Sequence, residues 1–121
     1  MQVDLDTIEM SNLNRQFYFR TQHVGKSKAK VAAEIVSKLN PELRIVAHQK
    51  NIMDSQFDIG YFAGFKVVVL ALDNEEARSY VNKMCMITNT LILEAGTHGF
   101  LGQVDWSQIG HDPEEKCHQV L

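Results

Sequence analysis

The run Lys66-Val67-Val68-Val69-Leu70-Ala71-Leu72 is apolar almost throughout and stops at a carboxylate, Asp73. It shows no alternation of wet and dry positions, so it reads as a strand covered on both faces, as in the middle of a parallel sheet. Parallel neighbours need crossover connections, usually helices. Residues 26–39 supply the clearest helix, stopped by Asn40-Pro41. Its apolar face comprises Ala32, Ile35 and Leu39, flanked by Val31 and Val36. A second helix follows Asp73 and runs to about Thr88, with Ala77, Val81, Met84 and Thr88 aligned.

Strands fill the gaps. Residues 1–6 read as a strand tail in which Val3 and Leu5 alternate with Asp4 and Asp6, and residues 43–48 are rich in branched side chains. Residues 51–54 form a loop, and residues 56–65 a short helix whose Phe57, Tyr61, Phe62 and Phe65 belong to a core. Residues 90–95 read as a strand, Gly96-Thr97-His98-Gly99 as a turn, and residues 100–104 as extended chain. Strand and helix thus alternate, the signature of an α/β, doubly wound, mostly parallel sheet. Residues 1–104 form the expected domain and 105–121 a divergent polar tail.

Composition narrows the function classes. The net charge of -3 argues against a general nucleic-acid binder, which would show a basic face. No apolar run approaches membrane-spanning length, and the first residues carry acids where a signal peptide is apolar. Cys85 and Cys117 make neither a disulfide framework nor a close zinc pair, which points to a reducing, intracellular setting. His111, Cys117 and His118 match no common metal spacing.

Candidate binding residues gather around Ser11-Asn12-Leu13-Asn14-Arg15-Gln16-Phe17. Amides, a hydroxyl and a guanidinium there suit phosphate oxygens, and the arginine fork fits phosphate bidentately. The same residues also read as a helix start capped by Ser11 or Asn12. Asp4 or Asp6, at a strand end, could accept hydrogen bonds from ribose hydroxyls or stand in solvent. Lys28 falls in the middle of its helix's apolar face, so it must snorkel to water or meet an anion. Asp73 lies where open α/β sheets bind ligands. It could cap the following helix with Glu76 as box partner, hold Mg²⁺ against phosphates, or do both.

Together these stretches resemble the ubiquitin-like-protein activating enzymes, which carry a ThiF/MoeB-like adenylation domain. The shared segments, in the same order, are Val3-Asp4-Leu5-Asp6-Thr7-Ile8, the 11–17 stretch, His23-Val24-Gly25-Lys26-Ser27-Lys28-Ala29, Ala71-Leu72-Asp73-Asn74 and Glu94-Ala95-Gly96-Thr97. The wording of residues 23–29 and of Ile45-Val46-Ala47-His48 is closest to the SUMO-activating branch. The resemblance covers about residues 3–104.

It implies an ATP- and Mg²⁺-dependent adenylation of the C-terminal glycine of a SUMO-type ubiquitin-like protein, before thioester formation on a cysteine. The implied partners are a regulatory subunit in a pseudo-symmetric heterodimer and a conjugating enzyme downstream, with no nucleic acid or membrane. Nucleus and cytoplasm are the implied location. By position, Asp4 binds ribose, Asn12 and Arg15 contact phosphates, and Asn14 belongs to the same cofactor-binding set. Lys28 neutralises phosphate charge, Asn51 and Ile52 line the adenine side, and Asp73 holds Mg²⁺, with Asn74 and Arg78 beside the nucleotide. Arg15, Lys28 and Asp73 are the implied catalytic set.

Against the family pattern, the Gly-rich loop, first strand and first helix are missing, so the chain is expected to be a partial domain, inactive alone. His98 stands where the family has a small residue. Two other readings share the fold: a Rossmann domain of another type using Asp4 on ribose, and a non-catalytic fragment that docks on a partner subunit.

Overall fold

The computed structural model describes residues 1–98 and 101–107, and the chain divides into two compact units, Met1–Ile52 and Met53–Leu121. In the first unit, strand β1 (Gln2–Val3) pairs in parallel with β2 (Ala47–His48), Gln2 opposite Ala47 and Val3 opposite His48. The Gln2 N–H donates to Val46 O at 2.9 Å and the Asp4 N–H to His48 O at 3.0 Å, lengthening the ladder at both ends. Helix α1 (Lys28–Leu39) makes the crossover that parallel pairing requires.

The strand expected over 43–48 is thus confined to its last two residues. Residues 40–43 are occupied by a turn. Asn40 Oδ1 accepts from the Glu42 N–H at 3.2 Å and its carbonyl from the Leu43 N–H at 3.2 Å. The helix also starts two residues later than its pattern suggests, because Ser27 caps it, its Oγ accepting from the Lys30 N–H at 3.4 Å. Ala29 and Val31 are buried, and Ala32 and Ile35 pack against a core of Ile8, Phe19 and Val31. Leu39, assigned by periodicity to the same face, is 71% exposed: it is the last helical residue, a turn beyond the side chains that Ile8 and Phe19 cover.

Between β1 and α1 the chain makes a long excursion that closes on itself. The Ile8 N–H donates to Lys26 O and the Gly25 N–H to Ile8 O, both at 2.8 Å, and Thr7 bridges Ser27 in antiparallel fashion. Gly25 turns this neck with a φ of +83°, a region that L side chains rarely adopt. Inside the excursion, Met10–Asn12 and Thr21–His23 form single 3-10 turns.

The second unit is built on an aromatic cluster. Helix α2 (Ile59–Phe62) is a single turn capped by Asp58, whose Oδ1 accepts from the Tyr61 N–H at 3.0 Å. Only this part of the expected 56–65 helix forms: the extended backbone of Asp58 (φ -82°, ψ -175°) keeps the residues before it out of the helix, and Gly64 is a weak helix former just past its end. Tyr61 meets Phe57, Phe62 and Phe65 edge-on at centroid distances of 4.8, 5.8 and 5.2 Å. The Tyr80 hydroxyl donates to Phe57 O at 2.8 Å and so ties helix α3 (Glu75–Thr88) to the cluster.

Strand β3 (Val67–Leu70) pairs in parallel with β4 (Leu91–His98), which pairs antiparallel with β5 (Leu101–Ser107). The expected α/β class with parallel strands is therefore present, with one antiparallel partner. The buried stripe of α3 is Ala77, Val81 and Cys85, a spacing of four, while Met84 and Thr88 are half-buried. One face of β3 departs from expectation: Leu70 is buried, but Val67 is 45% and Val69 63% exposed. Alternate strand residues point to opposite faces, and the side carrying Val68 and Leu70 is the better covered, Val68 being half-buried and Leu70 buried. Strand β4 runs through His98, so Gly96 and Thr97 are strand residues, not turn residues. Strand β5 likewise continues to Ser107, past the point where the sequence pattern dissolves. His111, Cys117 and His118 lie outside the described residues.

Two backbone positions predict opposite outcomes. Gly25→Ala meets no side chain but forces a β-carbon into positive φ, and is expected to destabilise by about 1 kcal/mol in urea unfolding. Asn89 ends α3 at φ 53°, where glycine is at least as comfortable. Asn89→Gly is expected to leave the unfolding free energy within error or raise it, whereas Asn89→Val lowers it by about 1 kcal/mol or more.

Candidate functional site

The 11–17 stretch is an internally braced turn that presents its guanidinium outward. Asn12 is 5% exposed, and its Oδ1 accepts from the Glu9 N–H at 3.0 Å. It supports the turn from inside. The Arg15 N–H and Gln16 N–H both donate to the Asn12 carbonyl, at 3.2 and 2.9 Å. Arg15 Nη1 donates to Ser11 O at 2.9 Å and to Asn14 Oδ1 at 3.3 Å. Both contacts use one nitrogen and both partners are neutral, so the exposed guanidinium keeps its full charge and its other donors. Leu13 packs on the Ile8 core, which anchors this display to the rest of the unit.

Lys28 met an anion and not water. Its Nζ lies 2.8 Å from Asp6 Oδ2, with the lysine side chain 16% and the carboxylate 66% exposed. The tie is doubled by the backbone, the Lys28 N–H donating to Asp6 O at 3.0 Å. Asp4 adds a third link, its Oδ1 accepting from the Asp6 N–H at 2.9 Å. Asp4, Asp6 and Lys28 therefore form one connected group at the end of β1 and the first turn of α1. Asp6 as the partner of Lys28 was not evident from sequence, because 22 residues separate the two. Asn51 and Ile52, both half-buried, follow β2 in the same unit.

In the second unit, Asp73, Asn74 and Arg78 mark the passage from β3 into α3. The helix cap is Asn74, whose Oδ1 accepts from the Ala77 N–H at 3.1 Å, so the Asp73–Glu76 box does not form. Asp73 is exposed and has no hydrogen bond or ion pair among the described residues. Arg78 is paired with Glu94 on β4, the two side chains 33% and 18% exposed. A carboxylate inside the apolar run Leu91-Ile92-Leu93-Glu94-Ala95 was the available signal that such a partner was needed.

Beside the cap an open groove of about 660 Å³ is lined by Met53, Asn74, Glu75, Glu76, Ser79, Tyr80 and Lys83. Tyr80 was not singled out from sequence. Cys85 is fully buried, and burial pushes its thiol pKa up, away from the reactive thiolate. No group of three or more His, Cys, Asp or Glu side chains suited to a metal occurs among the described residues. Mg²⁺ asks for less, since one or two carboxylates with substrate phosphates hold it. The unengaged Asp73 carboxylate fits that limited demand. No described helix is long and apolar enough to cross a membrane.

Comparison with known proteins gives this arrangement a context. The family model described as "ThiF family" matches residues 2–121. SUMO-activating enzyme subunit 2 of Dictyostelium discoideum is 45% identical over 118 residues, covering 98% of this chain and 18% of that protein. SUMO-activating enzyme subunit uba-2 of Caenorhabditis elegans is 41% identical over 115 residues, covering 95% of this chain and 20% of its own length. The chain thus spans about a fifth of the length of each of these two relatives. Among solved structures, E. coli MccB with ATP superposes with a TM-score of 0.64 at 30% identity, over 78% of this chain and 28% of that one. With residues 2–121 matched by one family model, the chain belongs to the ThiF family.

Proposed function

We propose that the chain is part of the adenylation domain of a SUMO-activating enzyme and contributes to its ATP site. The observation that carries this reading is similarity to SUMO-activating enzyme subunits that runs across 98% and 95% of the chain. In the reaction, the C-terminal carboxylate of a SUMO-type ubiquitin-like protein attacks the α-phosphate of ATP. A bond to that phosphorus forms, pyrophosphate leaves, and an acyl-adenylate results. The thiol acceptor and the downstream conjugating enzyme take the acyl group afterwards. A regulatory subunit completes a heterodimer, and the enzyme works in nucleus and cytoplasm.

Protein groups in such a reaction position reactants and neutralise charge. Arg15, with Asn14 steering its guanidinium, takes phosphate oxygens, and Asn12 holds the turn beneath them. Lys28 adds a second positive charge at the start of α1, where the helix end also favours anions. Asp4 keeps one carboxylate oxygen for a ribose hydroxyl, the other being used by the Asp6 N–H. Asn51 and Ile52 face the adenine, and Asn74 and Arg78 border the nucleotide, Arg78 held by Glu94. Asp73 holds Mg²⁺, which when bound screens phosphate charge. Apolar side chains left exposed in the first unit, Leu5 at 59%, Met10 at 61% and Phe17 at 80%, suit a partner subunit.

Two substitutions test the site assignment. Arg15→Ala is expected to weaken Mg·ATP binding at least about tenfold, the scale of lost hydrogen bonds to a charged group. Equal affinity in calorimetric titration would remove Arg15 from the site. Asp73→Asn is expected to abolish the Mg²⁺ dependence of ATP binding while circular dichroism stays unchanged, because Asn74 caps the helix.

A further inference from the structure

The group formed by Asp6 and Lys28 has a property that the adenylation reading does not require. A lysine meant for phosphate is already neutralised, by a carboxylate of its own chain at 2.8 Å. The contact is not a chance meeting of two long side chains. Asp6 is short, its N–H is held by Asp4, and its carbonyl is held by the Lys28 N–H, so the carboxylate is fixed from both sides. The lysine stem is largely covered while the carboxylate is largely open to solvent. An incoming anion therefore meets the pair from the Asp6 side.

We infer that Asp6 is a built-in counter-anion that occupies Lys28 when no phosphate is present and sets how tightly the site holds condensed phosphates. This inference rests on Lys28 being a phosphate ligand. Two effects of Asp6 oppose each other. Holding the lysine in one rotamer spares part of the ordering cost of a flexible stem, which favours binding. The carboxylate charge, a few ångströms from where phosphate must sit, disfavours it. The charge wins, because the stem is already confined by its burial at the start of α1 and needs little further ordering. The consequence bears on turnover. A bare, pre-positioned ammonium would hold product pyrophosphate, whereas a carboxylate waiting beside it competes for the lysine and helps the product leave.

The charge is separable from the hydrogen bond. Asp6→Asn can still accept from Lys28, Asp6→Glu keeps the charge, and Lys28→Ala removes the ligand. Calorimetric titration of the full chain with inorganic pyrophosphate and tripolyphosphate compares all four proteins. Asp6→Asn is expected to bind both about two- to fivefold more tightly than wild type, the upper range of a surface ion pair. Asp6→Glu is expected to return to near the wild-type value. A merely structural role would lower stability and leave affinity unchanged or weaker. Amine acylation mapped by mass spectrometry reads the pair directly: Lys28 labelling rises in Asp6→Asn relative to Lys26 and Lys30, and tripolyphosphate suppresses it.

Affinity unchanged or weakened in Asp6→Asn, with Lys28→Ala still losing binding, overturns the counter-anion role alone. Lys28→Ala binding as wild type overturns the phosphate assignment of Lys28 and this inference with it. Absence of binding by both wild type and Asp6→Asn does the same.

Discussion

The closure of the 9–24 excursion is what the first unit depends on. Two backbone hydrogen bonds at 2.8 Å join Ile8 to Gly25 and Lys26, and they set three things at once. They bury Ile8 as the centre of a core that Leu13, Phe19 and Val31 share. They bring the end of β1 beside the start of α1, so that Asp6 meets Lys28. They also give the Arg15 turn a fixed base. Closing a loop of this length is entropically unfavourable but only weakly dependent on its length. A short neck with one left-handed residue is therefore enough to hold a long functional segment.

Much of this was legible in the residues. Apolar runs and helix periodicity gave the order of elements, because both reflect burial, which is local in sequence. The long-range pairings were not legible. Nothing near Lys28 in the chain names Asp6 as its partner, and Arg78 finds Glu94 only once α3 lies against β4. The loss of Leu43 from the expected strand had a local cause in the Asn40 turn, but periodicity alone does not weigh a turn against a strand. Val67 and Val69 show the limit of reading an apolar run as doubly buried: composition reports what a face prefers, not what covers it.

The charges of the candidate site differ in how they are compensated. Arg78 and Glu94 are partly enclosed and opposite in sign, so removing either alone leaves the other poorly solvated. Arg15 is braced by neutral oxygens, which leave its charge uncompensated at these contacts. Asp73 has no partner among the described residues. These differences run from charges compensated within the fold to charges left to solvent.

The placement of the α3 cap on Asn74 has an evolutionary consequence. Had Asp73 capped the helix, replacing it with a residue that cannot cap would have weakened the start of α3. With the cap one residue along, Asp73 can vary while the protein still folds and accumulates normally. Lineages that lose the carboxylate would keep the capped start of α3. Such a position is where two copies of one fold can come to differ in surface chemistry without either losing its helix.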